Sequence, residues 1–270
     1  MKNIRIVLAA AMTIVLVLSG AILGCELFDQ YPYAIDGKMM DRFPMNVEDF
    51  KFINIKDIED DDDLKIIYDD WRTYVASSLE LFGIDADDVD GYASGGGVEI
   101  YEDGFDTEVL MERLGQSGYK QGTYRDIEIW KNTDWIALIK DDMVIVGTES
   151  GVKSCIDVIE YDEDSLLDNE DAKDVITDDD IDSLIFSVYH REYAGFTALV
   201  AGGGSFWDRK DTLKAHLIFK FASEAAAEAA VDDIEAEFAH FEDLDVDLDD
   251  EFVDVTGEMP VEEWWKGYSW

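Results

Sequence analysis

The chain of 270 residues has few of the side chains that metal and disulfide chemistry require. It contains two cysteines, three histidines and three prolines. The histidines, His190, His216 and His240, are far apart in the sequence and form none of the spaced pairs that are typical of zinc ligands. Two cysteines are too few for a disulfide framework. Nothing in the sequence therefore resembles a disulfide-rich scaffold or a zinc enzyme.

Basic residues are also scarce, because 21 Lys and Arg stand against 64 Asp and Glu, for a formal net charge of −43 at pH 7. A field of this sign repels nucleic acids and anionic lipid headgroups, so nucleic-acid binding is excluded. However, 47% of the residues are apolar and 12% are aromatic, which is too many for a disordered acidic chain. We therefore expect a folded body that carries a coat of carboxylates.

The N-terminus has the pattern of an export signal. Lys2 and Arg5 precede an apolar run over residues 6–18 that only Thr13 interrupts. A short positive segment before such a run, without a stop-transfer pattern after it, is typical of a signal peptide that is removed on export. The alternative is an anchor helix that is not cleaved.

This apolar run leads to Ile22-Leu23-Gly24-Cys25, which resembles the lipobox of bacterial lipoproteins. The resemblance covers only the signal segment. It implies cleavage after Gly24, a diacylglyceryl thioether on Cys25 and an acyl chain such as palmitate on the new amino terminus. Two or three such chains would hold the protein on the cell membrane, facing the extracytoplasmic side. Cys155 would then be the only free thiol, and its helical spacing with Val152, Ile156 and Ile159 predicts a core residue.

The rest of the chain predicts an α+β fold. Hairpin signals outnumber strand–helix–strand crossovers, so we expect mostly antiparallel sheets with helices packed on one face. We divide the chain into a signal peptide at 1–24, a tether at 25–45, a first α+β unit at 46–165 and a second unit at 166–270 that ends in an aromatic tail.

Two divergent repeats of an α+β unit are one interpretation of these halves. Each half contains a triple glycine, at residues 95–97 and 202–204, and each triple glycine is followed by an Asp-Thr pair. The glycines themselves predict a bulge or a tight bend between strand pieces.

Two helices and one strand have the clearest patterns. Apolar residues at three- and four-residue spacing predict a helix from Leu64 to Phe82 that ends at Gly83. Ser223 is placed to cap a helix that runs to Phe238. The aspartates of residues 243–249 alternate with leucine and valine, which predicts a half-buried strand. Apolar residues also predict a first strand at residues 49–58 and a further strand at residues 123–130.

Calcium is the one cofactor for which the sequence offers candidates, and they are weak. Asp85, Asp87, Asp88 and Asp90 precede Gly91 as in an EF-hand loop. The first and twelfth loop positions, which need Asp and Glu, hold alanine and glycine instead. We expect weak, diffuse binding of divalent cations rather than a specific site, and no other cofactor.

No catalytic residue is singled out by the sequence. Ser94 and Ser205 flank the two triple glycines, but neither lies in a G-x-S-x-G motif. Pairs of acids such as Glu99 and Glu102 would suit a glycosidase, yet with 64 acids such pairs arise by chance.

The aromatic tail is the candidate for contact with a partner. Its four rings could stack on sugars or insert into a protein, or they could fold back to cover the sheet. The rings belong to Trp264, Trp265, Tyr268 and Trp270.

The leading hypothesis is a non-enzymatic, membrane-anchored and highly acidic lipoprotein that binds a protein, a cell-wall polymer or a cationic ligand. The first alternative is an envelope hydrolase that uses carboxylates. The second is an acidic coat that serves cation binding or salt adaptation. A deep pocket with acids of raised pKa would favour the enzyme, whereas a broad face would favour the binding module.

Overall fold

Over the residues that the computed structural model describes, the fold is one antiparallel sheet of twelve strands with six α-helices. The structure describes residues 39–102, 106–139, 143–176, 183–189, 196–208 and 212–262. The α+β class and the antiparallel pairing are both confirmed. Within the described ranges, no helix combines the length and the hydropathy that a membrane span requires.

The helices and strands alternate in groups along the chain. The strands are β1 Asp49–Asn54, β2 Gly91–Gly95, β3 Val98–Glu102, β4 Lys120–Tyr124, β5 Ile127–Lys131, β6 Trp135–Ile139, β7 Met143–Gly147, β8 Ile185–Tyr189, β9 Leu199–Asp208, β10 Thr212–Phe221, β11 Glu242–Asp249 and β12 Phe252–Pro260. The helices are α1 Ile55–Glu59, α2 Lys65–Phe82, α3 Thr107–Gln116, α4 Glu149–Tyr161, α5 Glu170–Asp174 and α6 Glu224–Glu237. Short 3₁₀ turns lie at Ala86–Asp88 and Leu166–Asp168.

The strand order is β11-β12-β10-β9-β8-β1-β2-β3-β7-β6-β5-β4, so β1 and β8 are neighbours at the centre. The sheet runs through both predicted units, and its two halves have similar connections. In the first half, β1, β2 and β3 form a meander, α3 follows, and β7 returns beside β3. In the second half, β8, β9 and β10 form a meander, α6 follows, and β12 returns beside β10.

Helices cover both faces of the sheet rather than the one face that we predicted. One apolar cluster lies between the sheet and α1, α2, α3 and α6, and we call this side face A. A second cluster lies between the opposite side, face B, and α4, α5 and residues 39–47. The central strands explain this, because Phe50 and Phe52 of β1 point to face B while Ile53 points to face A. A strand that is apolar on both sides needs a cover on both sides.

Local capping explains why the helices begin and end where they do. Gly83 has φ of 75° and ends α2 in the left-handed conformation that glycine adopts without strain. Side chains of Asp106, Thr148 and Ser223 accept hydrogen bonds from backbone amides at the start of α3, α4 and α6. The predicted helices at residues 64–82 and 223–238 are confirmed.

Three local expectations differ from the structure. The first strand ends at Asn54 rather than Ile58, because the Asn54 side chain accepts a hydrogen bond from Asp57 N and begins α1. Residues 123–130, which we predicted as one strand, lie in the β4–β5 hairpin. Its turn residues Arg125 and Asp126 have φ of 45° and 70°, as a two-residue hairpin turn requires.

The third difference concerns the predicted tether. Met39, Met40 and Phe43 are fully or almost fully buried, and they pack against face B. Pro44 also forms a bridge with Ser165. The packed body therefore already includes residues 39–45.

The two triple glycines have different structural roles. Gly96 and Gly97 have φ of 57° and 75° and form the turn between β2 and β3. Residues 202–204 instead lie within the continuous strand β9. The polar strands β11 and β4 form the two edges of the sheet. In β11, Asp245, Asp247 and Asp249 are exposed, which protects the edge from further pairing.

Candidate binding site at the centre of the sheet

Four polar residues lie directly opposite one another on the four central strands. Glu99 of β3 is opposite Ser94 of β2, Ser94 is opposite Lys51 of β1, and Lys51 is opposite Ser187 of β8. Their side chains point to face A, because their apolar strand neighbours point to face B. We call these four residues the central polar row.

The next row on face A contrasts with this one. It consists of Tyr101, Tyr92, Ile53, Ile185 and Phe206, and all five are buried. Each member of the central polar row is only partly buried. A short step along the strands therefore leads from the apolar core to a polar surface that solvent reaches, and this surface lies at the middle of the sheet.

Lys51 is the cation of this row. Burial lowers the pKa of its ammonium group to about 8, from an ordinary value of 10.5. Its backbone lies directly between Ser94 and Ser187 of the two neighbouring strands. A partly buried lysine with such a pKa, in a row of polar side chains, marks a candidate functional site.

Glu99 is the anion of the row, and tyrosines surround it. The Tyr101 hydroxyl donates a hydrogen bond to Glu99 Oε2 at 2.6 Å. Burial, followed by the charge of Glu99, raises the pKa of both Tyr92 and Tyr101 above the ordinary range. The same two causes raise the pKa of Tyr74, which projects from α2 and is half exposed. All three phenols therefore stay protonated at neutral pH, and Tyr101 is the one that donates the hydrogen bond to Glu99 described above.

On the other side of Lys51, two glycines of β9 lie opposite residues of β8 on face A. Gly204 is opposite Ser187, and Gly202 is opposite Tyr189. A Cβ atom at Gly202 would lie 2.7 Å from Tyr189 Cε2, and one at Gly204 would lie 2.8 Å from Leu217 Cδ2. The absence of side chains here leaves room for the Tyr189 ring beside the row. The face-A glycines of the second triplet therefore shape the candidate site.

The central polar row offers binding groups rather than a catalytic set. It supplies one ammonium, two hydroxyls and one carboxylate, with phenol donors at one end. Hydrogen-bonding side chains beside aromatic rings are typical of a ligand site.

A second polar alignment lies on face B. His216 of β10 is opposite Ser205 of β9, and His216 Nε2 lies 3.1 Å from Asp254 Oδ2. Ser205 is 1% exposed, and among the described residues its Oγ has no hydrogen-bond partner. The order Ser–His–Asp resembles a hydrolase triad, but a serine that solvent and substrate do not reach is a poor nucleophile.

A shallow cavity of about 410 Å³ lies at a third place, beside α4. Its lining residues are Asp41, Arg42, Val158, Ile159, Asp162, Glu163 and Asp168. Arg42 forms an ion pair with Glu102. Four of these seven lining residues are acidic and two are apolar, whereas apolar side chains predominate in typical ligand pockets.

The predicted calcium ligands mostly bind other protein groups. Asp85 caps the 3₁₀ turn by accepting a hydrogen bond from Asp87 N. Asp87 accepts a hydrogen bond of 2.7 Å from the Tyr68 hydroxyl, and Asp90 forms an ion pair with Lys56 at 3.1 Å. No group of three or more acids, histidines or cysteines among the described residues could hold a metal ion.

The other predicted site residues divide into two groups. Cys155 is fully buried on α4, and burial raises its thiol pKa to about 12, as expected for a core residue. The lipidation residue Cys25 lies outside the described residues, and so do the tail aromatics Trp264, Trp265, Tyr268 and Trp270.

The central polar row was not predicted from the sequence. No sequence motif includes Lys51, and Ser94 and Glu99 lie in patterns that match no catalytic motif. One signal was available, since Lys51 lies between two large apolar residues, Phe50 and Phe52, in the middle of the strand. The row becomes visible only when the registers of four strands are known.

Comparisons with known proteins agree with this fold. No family model matches the chain. The chain is 25% identical over 287 residues to the uncharacterized protein MJ0635 of Methanocaldococcus jannaschii, covering 97% of this chain and 99% of that protein. Two crystal forms of TP0453 are similar in structure, with TM-scores of 0.59 and 0.53 and sequence identities of 7% and 6%. They cover 85% and 84% of this chain and 97% and 94% of TP0453, and this likeness shows the fold alone.

Proposed function

We propose that the chain is a lipid-anchored, extracytoplasmic binding module without catalytic activity, and that the central polar row is its ligand site. The observation that carries the proposal is the half-buried row of Glu99, Ser94, Lys51 and Ser187 at the middle of the sheet. The export pattern before Cys25 supports the location.

The nucleophiles among the described residues support a binding role. The Cys155 thiol is buried and its pKa is raised, so little thiolate forms at neutral pH. Ser205 is buried as well. The accessible groups of the central polar row suit hydrogen bonding and ion pairing, which is the work of a binding module.

The lipid anchor is tested by expressing the full chain with Cys25→Ser. We expect the variant to leave the membrane fraction after a carbonate wash, because the acidic body has no affinity for anionic lipid. The unmodified protein should stay in that fraction, and the mass of its N-terminal peptide should include lipid. Cys155→Ser is the matched control and should stay as well. Retention of Cys25→Ser in the membrane would contradict the proposal.

We also propose that the two halves of the sheet are divergent repeats. Both halves have the same order of meander, helix and returning strand, and this order supports the proposal. The first half differs by the insertion of α1 and α2 and by the additional strands β4 and β5. An experimental structure tests this idea. The strands β1–β3 with α3 and β7 should superpose on β8–β10 with α6 and β12, and a different path of the helices over face A would contradict it.

A second candidate function is that the acidic coat itself binds cations or adapts the protein to salt. Like charges face one another in the β11–β12 hairpin, where Asp247 is opposite Asp254 and Glu242 is opposite Glu258. Directly opposed like charges destabilise a sheet, and counterions reduce this repulsion. Burial, followed by the charge of Asp87, also raises the pKa of Glu59.

A further inference from the structure

We propose that the chain associates with further copies of itself head to tail, the edge strand β4 of one copy pairing antiparallel with the edge strand β11 of the next. The sheets of the two copies then form one continuous sheet. This inference goes beyond the proposed function and does not involve the central polar row. It gives a partner to the two strands that have only one neighbour in the described part of the chain.

The strand order determines how the two edges meet. Every neighbouring pair in the sheet is antiparallel, so strand directions alternate across its twelve strands, and β11 and β4 run in opposite directions. A second copy in the same orientation, apart from the twist of the sheet, therefore places its β11 antiparallel to β4, with matching faces. Such a contact uses different surfaces on the two copies and leaves a free edge at each end.

Two residues of β4 offer backbone groups to a further strand. Tyr124 and Ile127 close the two-residue turn of the β4–β5 hairpin, and such a closing pair is hydrogen-bonded through both backbones. Hydrogen-bonded and non-hydrogen-bonded pairs alternate along an antiparallel ladder. The backbone N–H and C=O groups of Gln121 and Thr123 therefore point away from β5.

The strand β11 has the same pattern at the other edge. Asp249 and Phe252 close its hairpin with β12, so by the same alternation the backbone groups of Val246 and Leu248 point outward. The Leu248 N–H donates a hydrogen bond of 3.1 Å to Asp247 Oδ1 rather than to β12. In the proposed pairing, a backbone carbonyl of β4 replaces this side-chain acceptor.

The face-B side chains at the two edges have opposite charges. Tyr124 packs against the face-B cluster, so Lys120, four residues earlier in the same strand, also points to face B. Val246 packs against the face-A cluster, so Asp247 and Asp249 point to face B. Face B is therefore basic at the β4 edge and acidic at the β11 edge.

A second ammonium group lies over β4. A Cβ atom at Gly122 would be 3.5 Å from Lys131 Cε and 3.8 Å from Lys131 Nζ, so the Lys131 side chain reaches from β5 across the edge strand. Lys120 is directly opposite Lys131, and within the described residues neither forms an ion pair. Like charges that face each other destabilise a sheet, and an acidic strand beside them removes this repulsion.

The backbone pattern itself brings these charges together. Backbone hydrogen bonds form only when the outward residues of β4 lie opposite those of β11. With Gln121 opposite Leu248, Lys120 lies opposite Asp249, and Gly122 lies opposite the next aspartate on face B. Pairing of two β4 edges places lysines together, and pairing of two β11 edges places aspartates together, which is the pairing that charged edges prevent. Charge therefore favours the mixed pairing.

The association should be weak and should depend on salt. The strand β4 has five residues, which is short for a stable interface. Each copy also has a formal charge of −43, so the copies repel one another at long range. The Debye length falls from about 30 Å at 0.01 M salt to about 8 Å at 0.15 M. We expect monomers at the lower salt and a Kd of roughly 0.1–1 mM at the higher.

Sedimentation equilibrium of the full chain with Cys25→Ser, from about 0.02 to 1 mM protein, measures the association. The average mass should rise with concentration beyond that of a dimer, because a head-to-tail contact leaves both ends free. Thr123→Pro removes an outward N–H and should abolish the association, while an edge strand tolerates proline at such a position. Thr123→Ala keeps the N–H and is the matched control.

A charge reversal tests the contact between the side chains. Lys120→Glu should weaken the association about tenfold or more, because it places a carboxylate beside the aspartates of β11. Lys65→Glu, on the exposed side of α2, changes the net charge by the same amount and should have a much smaller effect. Circular dichroism and melting temperatures check that each variant folds.

Two blocked variants test the head-to-tail arrangement. Leu248→Pro blocks the β11 edge as Thr123→Pro blocks the β4 edge, and each variant alone should be monomeric. A mixture of the two should form dimers and nothing larger, because one free edge of each kind remains. Dimers of Leu248→Pro alone would show that two β4 edges pair, and they would overturn the proposal.

Cross-linking gives a result that does not depend on any edge variant. A carbodiimide joins a lysine amine to a carboxylate with loss of water, and isotope-labelled copies identify the links between chains. Interchain links should join Lys120 or Lys131 to Asp247 or Asp249. The proposal is wrong if the protein stays monomeric up to about 1 mM at both 0.15 and 1 M NaCl, if Thr123→Pro associates as Thr123→Ala does, or if no interchain link involves β4 or Lys131.

Discussion

Replacing Gly203 by alanine tests whether the second triple glycine is set by packing. Gly203 lies within β9 and faces α5, on the side of the sheet opposite to Gly202 and Gly204. A Cβ atom at this position would lie 2.1 Å from the carbonyl oxygen of Val175 and 3.1 Å from its carbonyl carbon. Real Cβ atoms do not approach an oxygen so closely, so either β9 or the end of α5 must move by about 1 Å.

Neither element moves without losing contacts. Val175 is 1% exposed and Ala172 is fully buried, so α5 is packed into the face-B core. Lys220 of β10 also forms ion pairs with Asp171 and Asp174 of α5, at 2.7 and 2.6 Å. Overpacking a core typically destabilises a protein by about 1–3 kcal/mol, and a clash with backbone belongs at the upper end of that range. For a chain of this size, we expect the melting temperature to fall by about 5–10 °C.

The assay is thermal and urea unfolding, followed by circular dichroism, with two other glycines as controls. At Gly202 the contact is with a Tyr189 ring that can rotate, so Gly202→Ala should be milder. At Gly122 the nearest atom is Lys131 Cε at 3.5 Å, an ordinary contact, so Gly122→Ala should be neutral or slightly stabilising. If Gly203→Ala unfolds within about 1 °C of Gly122→Ala, the packing argument is wrong.

Four further predictions follow from the same contacts. Tyr101→Phe removes the hydrogen bond to Glu99 and should lower the free energy of unfolding by about 1.5–3 kcal/mol. Tyr74→Phe should have less effect, because Tyr74 is half exposed. Urea unfolding measures both variants. In a Cys25→Ser background, the Cys155 thiol should react with a disulfide reagent only after unfolding, and a fast reaction of the folded protein would contradict its burial. The two aspartates of α5 raise the pKa of Lys220, so its contribution should be complete below the ordinary pKa of 10.5 and disappear as the pH rises through the raised value. Lys220→Met should therefore cost about 1 kcal/mol at pH 7 and nothing in strong alkali. Finally, the melting temperature should rise from low salt to about 1 M NaCl, because screening shortens the range of repulsion to about 3 Å; a flat profile would remove support for the acidic coat as a salt adaptation.

Elements with local signals could be predicted from the sequence. The helix α2 has its apolar residues at helical spacing and a glycine after its last turn, and both are features of the segment itself. The strand β11 is similar, since Leu244 and Val246 pack against the core while the aspartates between them are exposed. These predictions need no knowledge of the remaining chain.

Features that depend on distant segments could not be predicted. The β4–β5 turn uses Arg125 and Asp126 at positive φ, where glycine or asparagine would have been the usual signal. Helices cover both faces because the strands at the centre of the sheet are apolar on both sides. Which strands occupy the centre depends on the pairing of β1 with β8, whose residues are more than 130 positions apart. The central polar row needs three registers at once. Each register depends on the apolar pattern of its own strand and on the neighbour that the fold supplies.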